Sequence, residues 1–171
     1  NRKTLSFHDV RSFVKLELVH AVLKNFPEAT AVAGVATGAI AQGMLVADEL
    51  ALPYAYVRPK PKDHGMKNQI EGELPAGSKV VVVEDLISTG GSSLKAVAAL
   101  REAGFEVVGM VASYTYGFPV AEEAFREANV KLVTLTDYEH VVEKALETGY
   151  IKESEVSMLH DWRKDPANWR K

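Results

Sequence analysis

Glu84 and Asp85 stand side by side, directly after four valines, Val80–Val83, and directly before Leu86-Ile87-Ser88-Thr89-Gly90-Gly91-Ser92. Two adjacent carboxylates offer oxygens to a diol or to a hydrated divalent cation such as Mg²⁺. The hydroxyls and glycines that follow offer something else. Glycine has no Cβ, so backbone amides can converge on an anion there. A helical pattern begins at Ser92 and runs to Ala103, and the positive end of a helix adds to the attraction. Carboxylates would repel a bare phosphate. The two halves therefore make chemical sense if they face different parts of one ligand, the loop an anionic group and the carboxylates its sugar hydroxyls or a metal it carries. The plainer reading is a buried strand joined to a helix, but an acidic pair and a long polar loop are an odd way to build a simple connection. Neither GxxxxGK[ST] nor GxGxxG is present, and the acidic residues lack the arrangement of a phospho-receiver domain.

Two further segments carry charge or loop chemistry. Arg58, Lys60, Lys62, His64 and Lys67 fall within ten residues, against a single acid, Asp63. Most such loops are merely solvated. This one follows a strand pattern, holds Pro59, Pro61 and Gly65, and has the length and charge of a mobile flap over a polyphosphate. Beside Lys62, His64 could give a proton or a charge-assisted hydrogen bond to a leaving anion. The second segment, Ala36-Thr37-Gly38, follows another apolar run and could hold a second anion; alone it reads equally well as an ordinary turn.

The elements that must position these groups alternate. Strand patterns cover Ala29–Val35, Tyr54–Arg58, Val80–Glu84, Val107–Ser113 and Lys131–Leu135. Helical patterns cover Ala39–Leu50, Ser92–Ala103, Val120–Ala128 and Tyr138–Thr148. Near the start, Ser6 and Asp9 read as a capping box, ahead of Val10, Phe13, Val14, Leu18, Ala21 and Val22 at helical spacing. Ile70–Leu74 suits a short hairpin strand. Tyr114, Tyr116 and Phe118 cluster at a strand end, and Trp162 and Trp169 suit a docked C-terminal helix and tail. Strands alternating with helices imply an α/β fold with a mostly parallel central sheet flanked by helices. Ligands bind beyond the carboxyl ends of such strands, which is where the three loops above should meet.

Composition narrows the classes. At 171 residues, with 47% hydrophobic and 25% charged residues, the chain is expected to form one domain with its own core. It has no cysteine, which excludes disulfides and thiol chemistry and suits a cytoplasmic location. A net charge of −3 gives no global attraction to nucleic acid, and no apolar run reaches membrane-spanning length.

The acidic pair followed by Thr89-Gly90-Gly91-Ser92 resembles the phosphoribosyl-pyrophosphate (PRPP) motif of the type I phosphoribosyltransferases. Tyr56–Gly72, YVRPKPKDHGMKNQIEG, is similar to the mobile loop of the orotate phosphoribosyltransferases. The similarity runs over essentially the whole chain. It implies the type I phosphoribosyltransferase fold and transfer of a 5-phosphoribosyl group from PRPP to orotate, with Mg²⁺ and release of pyrophosphate. By the same resemblance PRPP contacts fall to Arg58, Lys62, His64, Glu84, Asp85, Leu86, Ile87, Ser88, Thr89, Gly90, Gly91 and Ser92. Ser88 also lies near orotate, Ala36, Thr37 and Gly38 line pyrophosphate, and Lys62, His64 and Asp85 carry the catalytic roles. Glu84 and Asp85 hold the metal mainly through PRPP and water. The family forms homodimers that share the flap across the interface, and a helix and short hood precede the position of Asn1. The expectation is thus a single, N-terminally incomplete domain over residues 1–171. Departures from the family pattern are Gly38, where some relatives carry Lys, Pro59, where some carry Lys, and Thr115-Tyr116, where some carry an Arg for the orotate carboxylate. A purine phosphoribosyltransferase, or a regulator that senses PRPP without turnover, would share the acidic-pair loop but has less use for the flap.

Overall fold

The computed structural model describes residues 2–60 and 69–169. A short 3-10 turn, Arg2–Ser6, leads into α1 (His8–Asn25). The chain continues through β1 (Ala31–Val35), α2 (Ile40–Leu50), β2 (Tyr54–Val57), β3 (Ile70–Glu71), β4 (Lys79–Ile87) and α3 (Gly91–Glu102). It ends with β5 (Glu106–Thr115), α4 (Pro119–Glu127), β6 (Leu132–Asp137), α5 (Tyr138–Glu147) and α6 (Glu153–Lys164).

The strands form one sheet in the order β3-β2-β1-β4-β5-β6. Every neighbouring pair is parallel except β2 and β3, which form an antiparallel hairpin with Tyr56 opposite Glu71 and Val57 opposite Ile70. Strands covered on both faces read as unbroken apolar runs, and Val80–Val83 behave accordingly, each fully buried. Their side chains divide by parity. Val80 and Val82 join Ala96, Val97, Leu100 and Phe125 in the core under α3 and α4. Val81 and Val83 join Leu18, Val22, Phe26 and Val46 in the core under α1 and α2.

The topology picks out one place on the sheet. From β1 the chain crosses through α2 to β2, on one side; from β4 it crosses through α3 to β5, on the other. Adjacent parallel strands whose crossovers diverge leave a crevice at their carboxyl ends. The loops after β1 and β4 open there.

Several sequence readings need correcting. β4 does not stop at Glu84. Parallel pairing with β5 continues through Leu86 opposite Tyr114 and Ile87 opposite Thr115, so the acidic pair lies inside the strand and the loop is shorter, Ser88–Gly90. Ser6 and Asp9 form no capping box: the helix is capped at Phe7 without a side-chain bond, because Ser6 is taken up in the preceding 3-10 turn. Val10 and Phe13 are exposed rather than core, Phe13 at 64%; α1 buries Leu18, Val19 and Val22, with Val14 partly buried against the same core.

Candidate functional site

Parity also governs the acidic pair. Glu84 continues the face of Val80 and Val82 and turns toward α3. There its Oε2 accepts a hydrogen bond from Ser93 Oγ at 2.9 Å, while its Oε1 accepts from the Asp85 backbone N–H at 2.9 Å. Glu84 is only 4% exposed, and this burial outweighs the two bonds and pushes its pKa up to about 8. Asp85 continues the other face and remains partly open, with its side chain 14% exposed. Arg2, from the 3-10 turn, brings Nε to 3.6 Å from Asp85 Oδ2. Neighbouring carboxylates have thus become different groups, one locked inward and near neutrality, the other facing the crevice.

The turn after β1 comes to Asp85 directly. A Cβ built on Gly38 would fall inside the Asp85 carboxylate, so the absence of a side chain at position 38 is what lets the two loops touch. Ala36 and Thr37 complete this turn; the Ala36 N–H donates to Val57 O at 2.9 Å and the Ala39 N–H to Val35 O at 3.0 Å.

Ser88, Thr89 and Gly90 form the loop over the N-terminus of α3, whose first turn begins with Gly91 and Ser92. Gly90 has φ of 81°, and a Cβ there would lie 2.9 Å from the Phe125 ring, so both conformation and space call for glycine. Gly91 and Ser92 are exposed and their amides open the helix, the arrangement that receives an anion. Leu86 borders a cleft of ≈380 Å³ on the α1 and α2 side, with Thr4, Gln42, Ser113, Tyr114 and Tyr116 among its neighbours. Ile87 is fully buried and packs in the core under α3. On the α4 side, Ser88 and Thr89 border a larger cleft of ≈610 Å³ with Tyr116, Phe118, Trp162 and Arg163.

Arg58 follows β2 at the root of the hairpin. Its N–H donates to Gln69 O at 2.8 Å, and Gln69 Nε2 donates back to Arg58 O at 2.9 Å. Its Nη1 is buried without a hydrogen bond, 3.6 Å from Glu71 Oε1. Lys62 and His64 lie outside the described residues. The structure therefore brings together Ala36, Thr37, Gly38, Glu84, Asp85 and the Ser88–Ser92 segment.

Sequence reasoning missed three residues here. Ser93 fixes Glu84, and the nearest signal was the length of Glu itself, which can reach back to the first buried turn of α3. Arg2 and Arg163 approach from opposite ends of the chain, and nothing local announces them.

The site has the form of a mostly parallel α/β sheet carrying an anion-receiving loop and a partly open carboxylate at its switch point. A family profile described as a phosphoribosyl transferase domain matches residues 20–148. The orotate phosphoribosyltransferase of Bacteroides thetaiotaomicron is 66% identical over 99% of this chain and 80% of its own length. Among solved structures, the orotate phosphoribosyltransferase of Aeropyrum pernix is 32% identical, with a TM-score of 0.77 over 88% of this chain and 82% of that one. The adenine phosphoribosyltransferase of Leishmania tarentolae, 23% identical, shares the fold with a TM-score of 0.63 over 79% of this chain and 74% of its own. The chain belongs to the phosphoribosyltransferase family and, within it, to the orotate phosphoribosyltransferases. Its α/β architecture is the type I phosphoribosyltransferase fold.

Two outcomes follow from this geometry. Gly38→Ala must displace the Asp85 carboxylate while leaving the buried sheet intact. Steady-state kinetics should show KM for PRPP up by about tenfold or more, with the thermal midpoint little changed. For Glu84, a folded-state pKa of about 8 against an ordinary value of 4.5 means that the folded protein keeps a proton the unfolded chain releases. That contribution to stability is full below about pH 4.5 and is lost as pH rises through about 8. Thermal unfolding between about pH 5 and 8 should show a falling midpoint for the wild type and a flatter profile for Glu84→Gln.

Proposed function

We propose that this protein transfers the 5-phosphoribosyl group of PRPP to orotate, giving orotidine 5-monophosphate and pyrophosphate in pyrimidine nucleotide synthesis. The observation that carries the reading is the meeting of Asp85, the Gly38 turn and the α3 N-terminus at one switch point. It is supported by 66% identity to an orotate phosphoribosyltransferase over nearly the whole chain.

In this reading the 5-phosphate of PRPP sits on the amides and hydroxyls of Ser88–Ser92, where the helix end favours negative charge. Asp85 accepts from the ribose hydroxyls. Its negative charge also steadies a sugar ring that gains positive character as the C1–O bond lengthens. Glu84 holds the Asp85 amide and keeps that strand end rigid. Pyrophosphate lies against Ala36-Thr37-Gly38, and Arg58, Lys62 and His64 gather its charge as it departs. The C1–O bond breaks with its electron pair on pyrophosphate. A ring nitrogen of orotate, having lost its proton, supplies the pair for the new C1–N bond from the opposite face. No covalent enzyme intermediate is needed.

The carboxylates fit a substrate-borne Mg²⁺ rather than a cation caged by protein. Both oxygens of Glu84 are engaged within the chain, and Asp85, partly open to the crevice and 3.6 Å from Arg2 Nε, is the carboxylate that would meet a hydrated ion. When bound, Mg²⁺ would neutralise polyphosphate charge. A cytoplasmic homodimer completes the reading. Among the described residues no helix is long and apolar enough to cross a membrane, and in this reading the basic flap of one subunit serves its neighbour's site.

A panel of bases tests the central claim. With PRPP and Mg²⁺, pyrophosphate release should depend on orotate. Equal or better turnover with adenine, guanine or hypoxanthine would reject the assignment, and PRPP binding without turnover on any base would favour a sensor. Flap sharing has its own test. Lys62→Ala and Asp85→Asn homodimers should each be nearly inactive. After subunit exchange, half the dimers are hybrids with one intact site each, so activity should approach about one quarter of wild type. Activity that stays at the parental level, with exchange verified, places flap and carboxylate in the same chain.

A further inference from the structure

We propose that Arg163, on α6 and beyond the stretch that the family profile matches, is a positioning residue for the acceptor side of the site. Its guanidinium joins the turn after β5 to α5. Nε donates to Tyr116 O at 3.0 Å and Nη2 to Gly117 O at 2.9 Å. Nη1 is 3.1 Å from Glu139 Oε1, and the group lies over the Tyr138 ring at 5.9 Å. A planar fork with three directed donors fixes orientation as well as distance. Position 117 is shaped to receive it: Gly117 has φ of 62°, and a Cβ there would lie 2.9 Å from Arg163 Nη2.

What this clamp holds is a wall of the site. Tyr116 stacks on Phe118 at 5.3 Å with ring planes 9° apart, and Trp162 of α6 packs edge-on to Tyr116 at 5.5 Å. The Tyr116 N–H donates to Ile87 O at 3.0 Å, tying the wall to the end of β4. Tyr116 borders both the cleft lined by Ser88 and Thr89 and the cleft bordered by Leu86.

The sheet order assigns this wall to the acceptor. The groups read as holding PRPP and its leaving group come from β2, β1, β4 and α3; β5 lies on the far side of β4. An attack from the face opposite the leaving group must come from that far side. Aromatic rings there suit a planar base, and their aim depends on the two carbonyls that Arg163 grips.

The inference rests on the phosphoribosyl-transfer reading, and one set of kinetics separates the two. Wild-type turnover with orotate tests the reading. The variants are then compared with wild type on whichever base wild type uses. Arg163→Met should raise KM for the base by about tenfold or more while KM for PRPP stays within about twofold. Arg163→Lys, able to bond one carbonyl, should fall between. Gly117→Ala should reproduce the split with Arg163 present. If Arg163→Met does not fold, Arg163→Lys and Gly117→Ala carry the test. Equal movement of both KM values, or a lower thermal midpoint with both KM values unchanged, would overturn the proposal.

Discussion

The opposite facing of Glu84 and Asp85 in β4 is the constraint on which the site depends; the alternation ends there, since Leu86 lies on the α1 and α2 side and Ile87 packs under α3. A β-strand sends successive side chains to opposite faces, so Glu84 and Asp85, though adjacent, cannot do the same job. One enters the space under α3, is bonded by Ser93 and held near neutrality by burial. The other turns to the crevice, against the turn after β1. The motif therefore delivers one exposed negative charge instead of two, and in the proposed reaction that charge sits beside a sugar, close to but apart from the anion-receiving helix end.

The fit of that carboxylate depends on what is missing next to it. Gly38 has no side chain, so two loops from different strands close to contact and the crevice becomes one site. A similar economy occurs at Gly117, where the empty position accepts Arg163. In both places backbone and a charged side chain meet at distances that any Cβ would forbid. In the proposed reaction the first contact joins the sugar and pyrophosphate sides, and the second holds the wall across from them.

The type and order of elements were legible because both strand and helix patterns here are strong. Val80–Val83 is apolar on every residue because both faces of the sheet are covered, and the Thr89-Gly90-Gly91-Ser92 turn announces itself by residue type. Boundaries were less legible. β4 runs on to Ile87 because β5 offers it a partner, and pairing between strands is not a local property. Val10 and Phe13 have helical spacing like Leu18 and Val22, yet they stay exposed while Val14, Leu18 and Val22 pack on the core. Periodicity reports a face; it does not report whether anything covers it. Ser6 and Asp9 had capping-box spacing, but a 3-10 turn claimed Ser6 first.

By itself the sequence determined the residue chemistry: an acidic pair beside a glycine and hydroxyl loop, a basic flap, and an alternation of elements that makes a parallel sheet. These follow from residue types and short spacings, which act locally. Tertiary structure decided how that chemistry is divided. It made Glu84 an anchor and Asp85 the open carboxylate, brought Gly38 across from another strand, and set Arg163 on a turn 46 residues away. Burial, charge and close approach depend on which surfaces meet, and residues distant in the chain meet only once the sheet order and the docking of α6 are in place.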